Sequence, residues 1–538
     1  MGSGHHGCFV PSLHALIMAA GGLGATLRRA GAEARVAARR WVVGCSRGAS
    51  PHGHPRPGAQ RRAAAGGAQS VPRRVVVAGC GVCGASTAMQ LSKRGARVII
   101  VDPRPPLTAS SQYSTECYRD FFMDAGLVAF MSRSVDIMEE LSGEENALSL
   151  SRRGYAFLAA SAEGAESLER FAEAASGFGA GPIRRHRGGA GAYTRSPAQG
   201  FRHPELEGFD LVYGSGAVRE IWPFVSREAR VMLHARRCGW MDALSLGQAM
   251  LQAAKAGGGG SGAARVMQGA VRGFDVVGGD ITRVRIVQPQ GQEAVLECDA
   301  FVNAAGAWIP AINSLLAAES PLPLVNEVHA KVILNDSLGV IPQDTTPFMV
   351  WRDPVQLDWD DETKAGLQAL DDTADGGIIN SASWIHSQPG GQHLRPAGNG
   401  RVLLLWEHLH RHIQVPQEPG MPVGPLLDMY PELCLAGLRA MVPELQRYEG
   451  RLARDTAVDG GYYTLTPDGR PLIGQHGAGN AFVCGGMGTY GLMGAPAAGE
   501  LVALHVLGGE LPDYARACTW PREDPLREKP IDLLDESM

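Results

Sequence analysis

No stretch of this 538-residue chain reaches the ~18 to 20 consecutive apolar residues that a membrane-spanning helix requires. The longest candidate, residues 13–25, is short and interrupted by glycine. Lysine is missing from the first 74 residues, which hold eleven Arg and a single acid, Glu33, for a net +10. Without lysine or interleaved aromatics this arm is a poor nucleic-acid ligand. Its Ala/Arg-rich start and Gly/Pro/Ser/His-rich continuation cannot build a core, so residues 1–73 are expected to be an organellar targeting peptide and linker. The arginine excess favours a mitochondrion over a plastid. No positive segment precedes the apolar stretch, which argues against a secretory signal. The whole chain is at −5, so the remainder carries −15, which argues against nucleic acid or an anionic membrane as partner. Ten cysteines are too few for a disulfide framework in a chain of this length. No internal repeat is present. What remains is the composition of a soluble globular protein of two to four domains.

The informative segment is Val75-Val-Val-Ala-Gly-Cys-Gly-Val-Cys-Gly-Ala85. A β-branched run ends in Gly79, Gly81 and Gly84, with Val82 and Cys83 between them, and a helical pattern over 86–93 follows. Gly79 permits a tight turn, Gly81 lets backbone N–H groups approach a pyrophosphate, and Gly84 lets the helix pack on the strand. A second apolar run, 96–102, ends in Asp102, eighteen residues beyond Gly84, where a carboxylate accepts ribose hydroxyls. Strand, glycines, helix, strand and acid in this order predict a dinucleotide site. Cys80-x-x-Cys83 mimics a redox or metal pair, yet it lies inside the glycine turn with no second Cys/His pair nearby. It reads as small residues filling a loop.

Further along, helices are expected over 130–141, 168–175, 243–255 (with Asp242 as N-cap), 431–442 and 495–506. Strands are expected over 154–160, 266–274, 281–287, 300–304, 321–334, 400–406 and 483–491. Gly278-Gly279-Asp280 signals a hairpin. Residues 193–223 look irregular, 336–391 look like loop, and the chain from 513 looks like a surface tail. A nucleotide fold opens the chain, a different sheet interrupts it, and a second glycine-rich strand–turn–helix closes it.

With these residues the chain resembles the FAD-dependent D-amino-acid oxidase/glycine oxidase/sarcosine oxidase superfamily. The likeness rests on Val75–Asp102, Gly239–Lys255, Phe301–Trp308 and Gly460–Glu500, which include Thr466-Pro-Asp468 and Gly486-Met-Gly-Thr-Tyr-Gly-Leu-Met493. It implies an α/β architecture: a doubly wound, glutathione-reductase-like FAD domain assembled from 74–150, 227–318 and 440–512, and an antiparallel-sheet substrate domain from 151–226 and 319–439. It implies FAD, held by Gly79, Gly81, Val82, Cys83, Gly84 and Asp102, by Ser110, Ser111 and Val271, and by Ala305, Gly306 and Trp308. Gly486, Met487, Gly488, Thr489 and Gly491 would bed the flavin ring with backbone. It also implies hydride transfer from the carbon beside an amine nitrogen to the flavin, with oxygen or an acceptor protein as the oxidant.

Members with a cysteinyl flavin place Cys where Gly461 stands, and no His in the loop after Asp102 replaces it, so the FAD is expected to be non-covalent. Arg119 matches the position that grips a substrate carboxylate; the alternative is an ion pair with Asp120 or Asp124. Glu116 stands where relatives often carry a second arginine, and Met493 where sarcosine-type relatives offer lysine. Tyr490 is a candidate lid. His329 and Lys331 share one face of a strand and are candidates for the flavin or substrate, as are His393 and Arg395. His408, His410 and His412 alternate on a strand without an acidic or Cys partner, and no metal is expected. Two rivals stand beside an amine oxidoreductase: an FAD-binding assembly factor of a respiratory complex, and an NAD-dependent dehydrogenase, which would not need the closing turn.

Overall fold

The computed structural model describes residues 73–203, 206–257, 263–316, 322–373, 384–406 and 425–520. The expected leader, the 408–412 histidines and the chain beyond 520 lie outside the described residues.

Strand β1 (Arg74–Ala78) lies between β2 (Arg97–Asp102) and β13 (Ala300–Asn303), parallel to both. β9 (Arg265–Gln268) extends the sheet parallel to β2, β20 (Ala481–Gly485) parallel to β13, and β19 (Leu472–Gln475) closes the edge antiparallel. Val75–Ala78 are all buried, as expected of a central parallel strand covered on both faces. The Val82–Lys93 helix packs on this sheet between the Ala243–Ala256 and Gly491–Leu507 helices. Close approach to the last of these needs Gly499, whose Cβ would come 2.3 Å from Ser86 Oγ. The stretch Gly488–Leu507 is long and apolar enough to cross a membrane, but it is mostly buried inside the fold.

The second large sheet has nine strands, in the order β18 (Thr456–Leu465), β14 (Val325–Asn335), β17 (Arg401–Leu405), β16 (His393–Pro396), β15 (Phe348–Trp351), β4 (Tyr155–Ala159), β7 (Val231–Ala235), β6 (Phe209–Tyr213) and β5 (Ile183–His186). Its pairings are antiparallel except β4–β15 and β5–β6. One face, with Val332, Leu394 and Leu404, packs against Trp384, Trp406 and Tyr430. The other presents Tyr155, Phe157 and Phe348 to the same hydrophobic cluster that holds Val77 and Val302 of the parallel sheet, so one core joins the two sheets. Two small sheets complete the fold: β3 (Cys117–Arg119) with β8 (Cys238–Trp240), and β10 (Ala270–Val277), β11 (Asp280–Val287) and β12 (Glu293–Glu297).

The architecture is the expected α/β pair of units, and the Gly278-Gly279 hairpin forms as read. Several local expectations change. The strand expected over 266–274 is broken at Gly269 into β9 and β10, which belong to different sheets. The region 193–223 contains β6 and the Ser215–Ile221 helix, and 336–391 contains β15 and the Asp361–Thr373 helix. β6 and β15 are short and mostly buried on both faces, so neither shows the alternation that marks a half-exposed strand. The helix expected at 431–442 starts earlier, Pro425–Leu438. β7 and β18 fall within the segments expected for the FAD domain, yet both pair into the nine-stranded sheet. Residues 513–520 are not a free tail: Tyr514 meets Phe130 edge-on at 5.8 Å, and the Cys518 carbonyl accepts the Ile473 N–H at 2.7 Å.

A candidate cofactor cavity

The turn after β1 works as its glycines require. Gly79 has φ +100, and a Cβ there would lie 2.4 Å from the Ala304 carbonyl oxygen. At Gly84 a Cβ would lie 2.0 Å from the Gly79 carbonyl oxygen, so any side chain there would push the helix away from the strand. The helix that follows has no side-chain cap at Gly81 and no acid in its first turn, which leaves its positive end unneutralised. Ser111 Oγ accepts the Val82 N–H at 3.2 Å. Asp102 ends β2 with Oδ2 accepting the Cys80 N–H at 2.8 Å and Oδ1 accepting the Arg104 N–H at 2.9 Å.

A cavity of about 400 Å³ opens from this turn. Gly79, Gly81, Val82, Cys83 and Asp102 line it, with Ser110 and Ser111 from the following loop and Val271 from β10. Ala305, Gly306 and Trp308 contribute from the end of β13, and Gly486, Met487, Gly488, Thr489 and Gly491 from the turn after β20. The front and back of the chain thus meet at one cavity. Gly84 is the only cofactor candidate that does not line it, because its role is the helix–strand contact. Gly306, Gly486 and Gly488 all have positive φ, so these turns present backbone where a side chain would be strained.

Arg104 was not among the sequence candidates. It lines the cavity with its guanidinium 4.0 Å from the Trp308 ring. Tyr462, Tyr463 and Thr464 of β18 also line it. The signals were present, since Arg104 sits two residues past Asp102 and the three β18 residues precede Thr466-Pro-Asp468. The thiols in the turn are filler by chemistry as well as size. Burial, then the Asp102 charge, pushes Cys80 up to about 12. A hydrogen bond with Cys484, then burial, pushes Cys83 well above its ordinary value. Gly461 faces Ser110, whose Cα lies 3.3 Å from where a Cβ would stand, and Ser110 Oγ donates to the Tyr462 carbonyl at 3.0 Å.

The four catalytic candidates sit behind this lining rather than in it. Arg119 is buried on β3, its guanidinium 4.4 Å from the Phe122 ring and 5.4 Å from Phe121. Of the acids considered for it, Asp120 faces Arg237 at 3.5 Å and Asp124 pairs with Arg470. Tyr490 is no lid: it is buried and meets Phe122 edge-on at 5.3 Å, because the closing turn aims it into the core. Phe122 therefore gathers Arg119 and Tyr490 into one cluster. His329 stacks on Tyr463 at 3.8 Å and approaches Glu327 at 3.4 Å. Lys331 donates to the Tyr113 carbonyl and pairs with Asp459, each at 2.6 Å. His393 is buried and bonded to the Gly391 carbonyl, and Arg395 is bonded to the Thr115 carbonyl and to Glu116.

The cavity fits an extended dinucleotide. A helix end with no acid in its first turn suits a pyrophosphate, an acid with open lone pairs suits a ribose, and two backbone turns suit a planar ring. Residues 74–357 and 367–504 match the model of a family described as FAD dependent oxidoreductase. No curated protein matches the chain. Among solved structures, L-proline dehydrogenase from P. horikoshii is similar with a TM-score of 0.60 at 20% identity, over 85% of this chain and 98% of that one. Glycine oxidase from Bacillus cereus gives 0.58 at 15% identity, over 84% and 99%. L-amino acid deaminase from Proteus vulgaris gives 0.57 at 15% identity, over 86% and 98%.

Proposed function

The chain belongs to the DAO family of FAD-dependent oxidoreductases and holds FAD non-covalently, and from that premise we propose that it oxidises the C–N bond of an amine or amino acid. The observation that carries this reading is the single cavity lined by both the first glycine turn and the closing turn, Gly486 to Gly491. Similar structures are named for proline, glycine and L-amino acids, which supports a donor of that class. Bound FAD supplies the two-electron acceptor that takes a hydride from the carbon beside a neutral amine nitrogen. The donor leaves as an imine, which water hydrolyses. The residues of the chain would hold and orient: Asp102 would take ribose hydroxyls, the Val82–Lys93 helix would face the pyrophosphate, and Met487 to Gly491 would bed the ring. Tyr462 and Tyr463 wall the cavity with aromatic surface that excludes water. Molecular oxygen or an acceptor protein would serve as the terminal oxidant. Anaerobic mixing with a panel of amines and amino acids tests the reading: the flavin absorbance should bleach with at least one. A flavin that none of them bleaches would sink it.

One observation favours a second reading, an FAD-containing assembly factor of a respiratory complex. Arg119, Lys331 and Arg395 are buried, and Lys331 and Arg395 are bonded to protein carboxylates and carbonyls rather than presented to the cavity. Co-purification with respiratory subunits, together with an unreactive flavin, would decide for it. The arginine-rich leader supports a mitochondrial location ahead of a plastid. Residues 1–73 fused to a fluorescent protein should direct it to that organelle.

A further inference from the structure

Two buried cations on one face of the nine-stranded sheet reach the same loop of the cofactor-binding unit. Lys331 on β14 is 6% exposed and donates from Nζ to the Tyr113 carbonyl at 2.6 Å. Arg395 on β16 is 2% exposed and donates from Nε and Nη2 to the Thr115 carbonyl, at 3.0 and 2.8 Å. Nη2 also meets Glu116 Oε2 at 2.8 Å. Ser110 Oγ returns a bond to the Tyr462 carbonyl of β18 at 3.0 Å. The loop is therefore tied to one sheet at four residues, Ser110, Tyr113, Thr115 and Glu116. Burying a cation is costly unless it is paired and hydrogen-bonded, so carbonyls and acids in these places have a strong hold on both side chains.

The same loop is a wall of the cofactor cavity, through Ala109, Ser110, Ser111 and Ser114. Its Ser111 hydroxyl takes the first N–H of the helix that faces the pyrophosphate. Glu116 has φ +64, a conformation a non-glycine residue keeps only where its surroundings hold it. Here Arg395 holds its Oε2, and Oε1 lies 3.3 Å from the Ala243 N–H. A continuous line of bonds runs from the sheet through Lys331 and Arg395 to the loop, and through Ser111 to the helix end. Neither cation lines the cavity.

We propose that Lys331 and Arg395 are positioning residues that fix the 109–116 loop, so that docking of the nine-stranded sheet sets how tightly the protein retains FAD. This role is independent of which donor the enzyme oxidises. The full-length holoprotein carrying Lys331→Met, Arg395→Met or Arg395→Lys tests it. Three quantities are read: the FAD dissociation constant, the melting temperature of apo- and holoprotein, and amide hydrogen exchange over residues 109–116. Loss of a charge-assisted bond should raise the dissociation constant about tenfold in each Met variant. Exchange should quicken over 109–116 and stay unchanged over β14 and β18, with Arg395→Lys between wild type and Arg395→Met. In the Lys331 variant the partner acid, Asp459, keeps a side chain 32% exposed, although the Oδ1 that met Lys331 is buried. An unchanged FAD affinity with equal loss of melting temperature in apo- and holoprotein would mean a general structural role and overturn the proposal. Unchanged affinity with a raised KM for the donor would make these residues substrate contacts and overturn it as well. Should a Met variant fail to fold, Arg395→Lys decides, because wild-type affinity and exchange in that variant would refute the positioning role.

Discussion

At the scale of single residues, the front of the cofactor site follows from local spacing, because each requirement is met within one turn of chain. Gly79 needs both its φ of +100 and its missing Cβ, so Gly79→Ala should abolish FAD retention and destabilise the protein by about 2 kcal/mol or more. Yellow colour after purification and the denaturation midpoint report the two effects separately; a yellow, wild-type-stable variant would contradict the steric argument. Asp102 uses one lone pair on each oxygen for the Cys80 and Arg104 N–H groups, which leaves acceptors for two hydroxyls. Asp102→Asn turns one acceptor into a donor, and an FAD affinity about tenfold weaker is expected by titration of the apoprotein, since a hydrogen bond to a charged group is at stake. Arg119, Tyr490, His329 and Lys331 were legible as candidates for the site but not as residues behind the cavity lining. Which way a side chain points depends on the partner it packs against, and Phe122, Tyr463 and Asp459 are that partner only after folding.

At the scale of elements, boundaries were legible where capping chemistry marks them and obscure where burial hides periodicity. Asp242 was identified as an N-cap and accepts the Ser245 N–H at 2.6 Å. Asp124 does the same for the Ala125–Ser142 helix, accepting the Leu127 N–H at 2.8 Å while its other oxygen pairs with Arg470, yet that helix was expected to begin only at residue 130. Removing both interactions with Asp124→Ala should cost about 1 to 2 kcal/mol, whereas Asp124→Asn, which keeps the cap, should cost less than half of that. Chemical denaturation of the holoproteins measures the difference, and equal losses would show that the Arg470 contact, not the cap, carries the effect. The single strand read over 266–274 failed for a different reason. Gly269 donates its N–H to the Asp102 carbonyl, and the chain leaves one sheet for another there, a long-range event that alternation of side chains does not record.

Across the whole molecule, the two sheets share one hydrophobic core, and that junction leaves a titratable group in an apolar setting. Asp120 follows β3 and is buried; burial pushes its carboxyl up to about 7, against the pull of Arg237 and Arg152. Between the ordinary unfolded value of about 3.9 and this folded value, the native state binds the proton more tightly than the unfolded chain. The stability this group contributes is therefore complete below pH ~4 and is lost as pH rises through 7. Glu500, held low by Arg133, and Asp299, held low by Arg74, act in the opposite sense, and their contribution disappears only as pH falls through the acid range. Buried His234 and His505, both held below the ordinary histidine value, gain stability as pH rises through the same interval and oppose Asp120, so only the difference between wild type and an Asp120 variant isolates this group. Asp120→Asn keeps the shape and removes the titration, and Arg237 retains Asp136 at 2.6 Å. Relative to the variant, wild type should lose melting temperature between pH 5 and 8 and be overtaken at the alkaline end. Thermal melts of both holoproteins across that interval check this, and parallel curves would mean that Asp120 stays ionised within the core throughout.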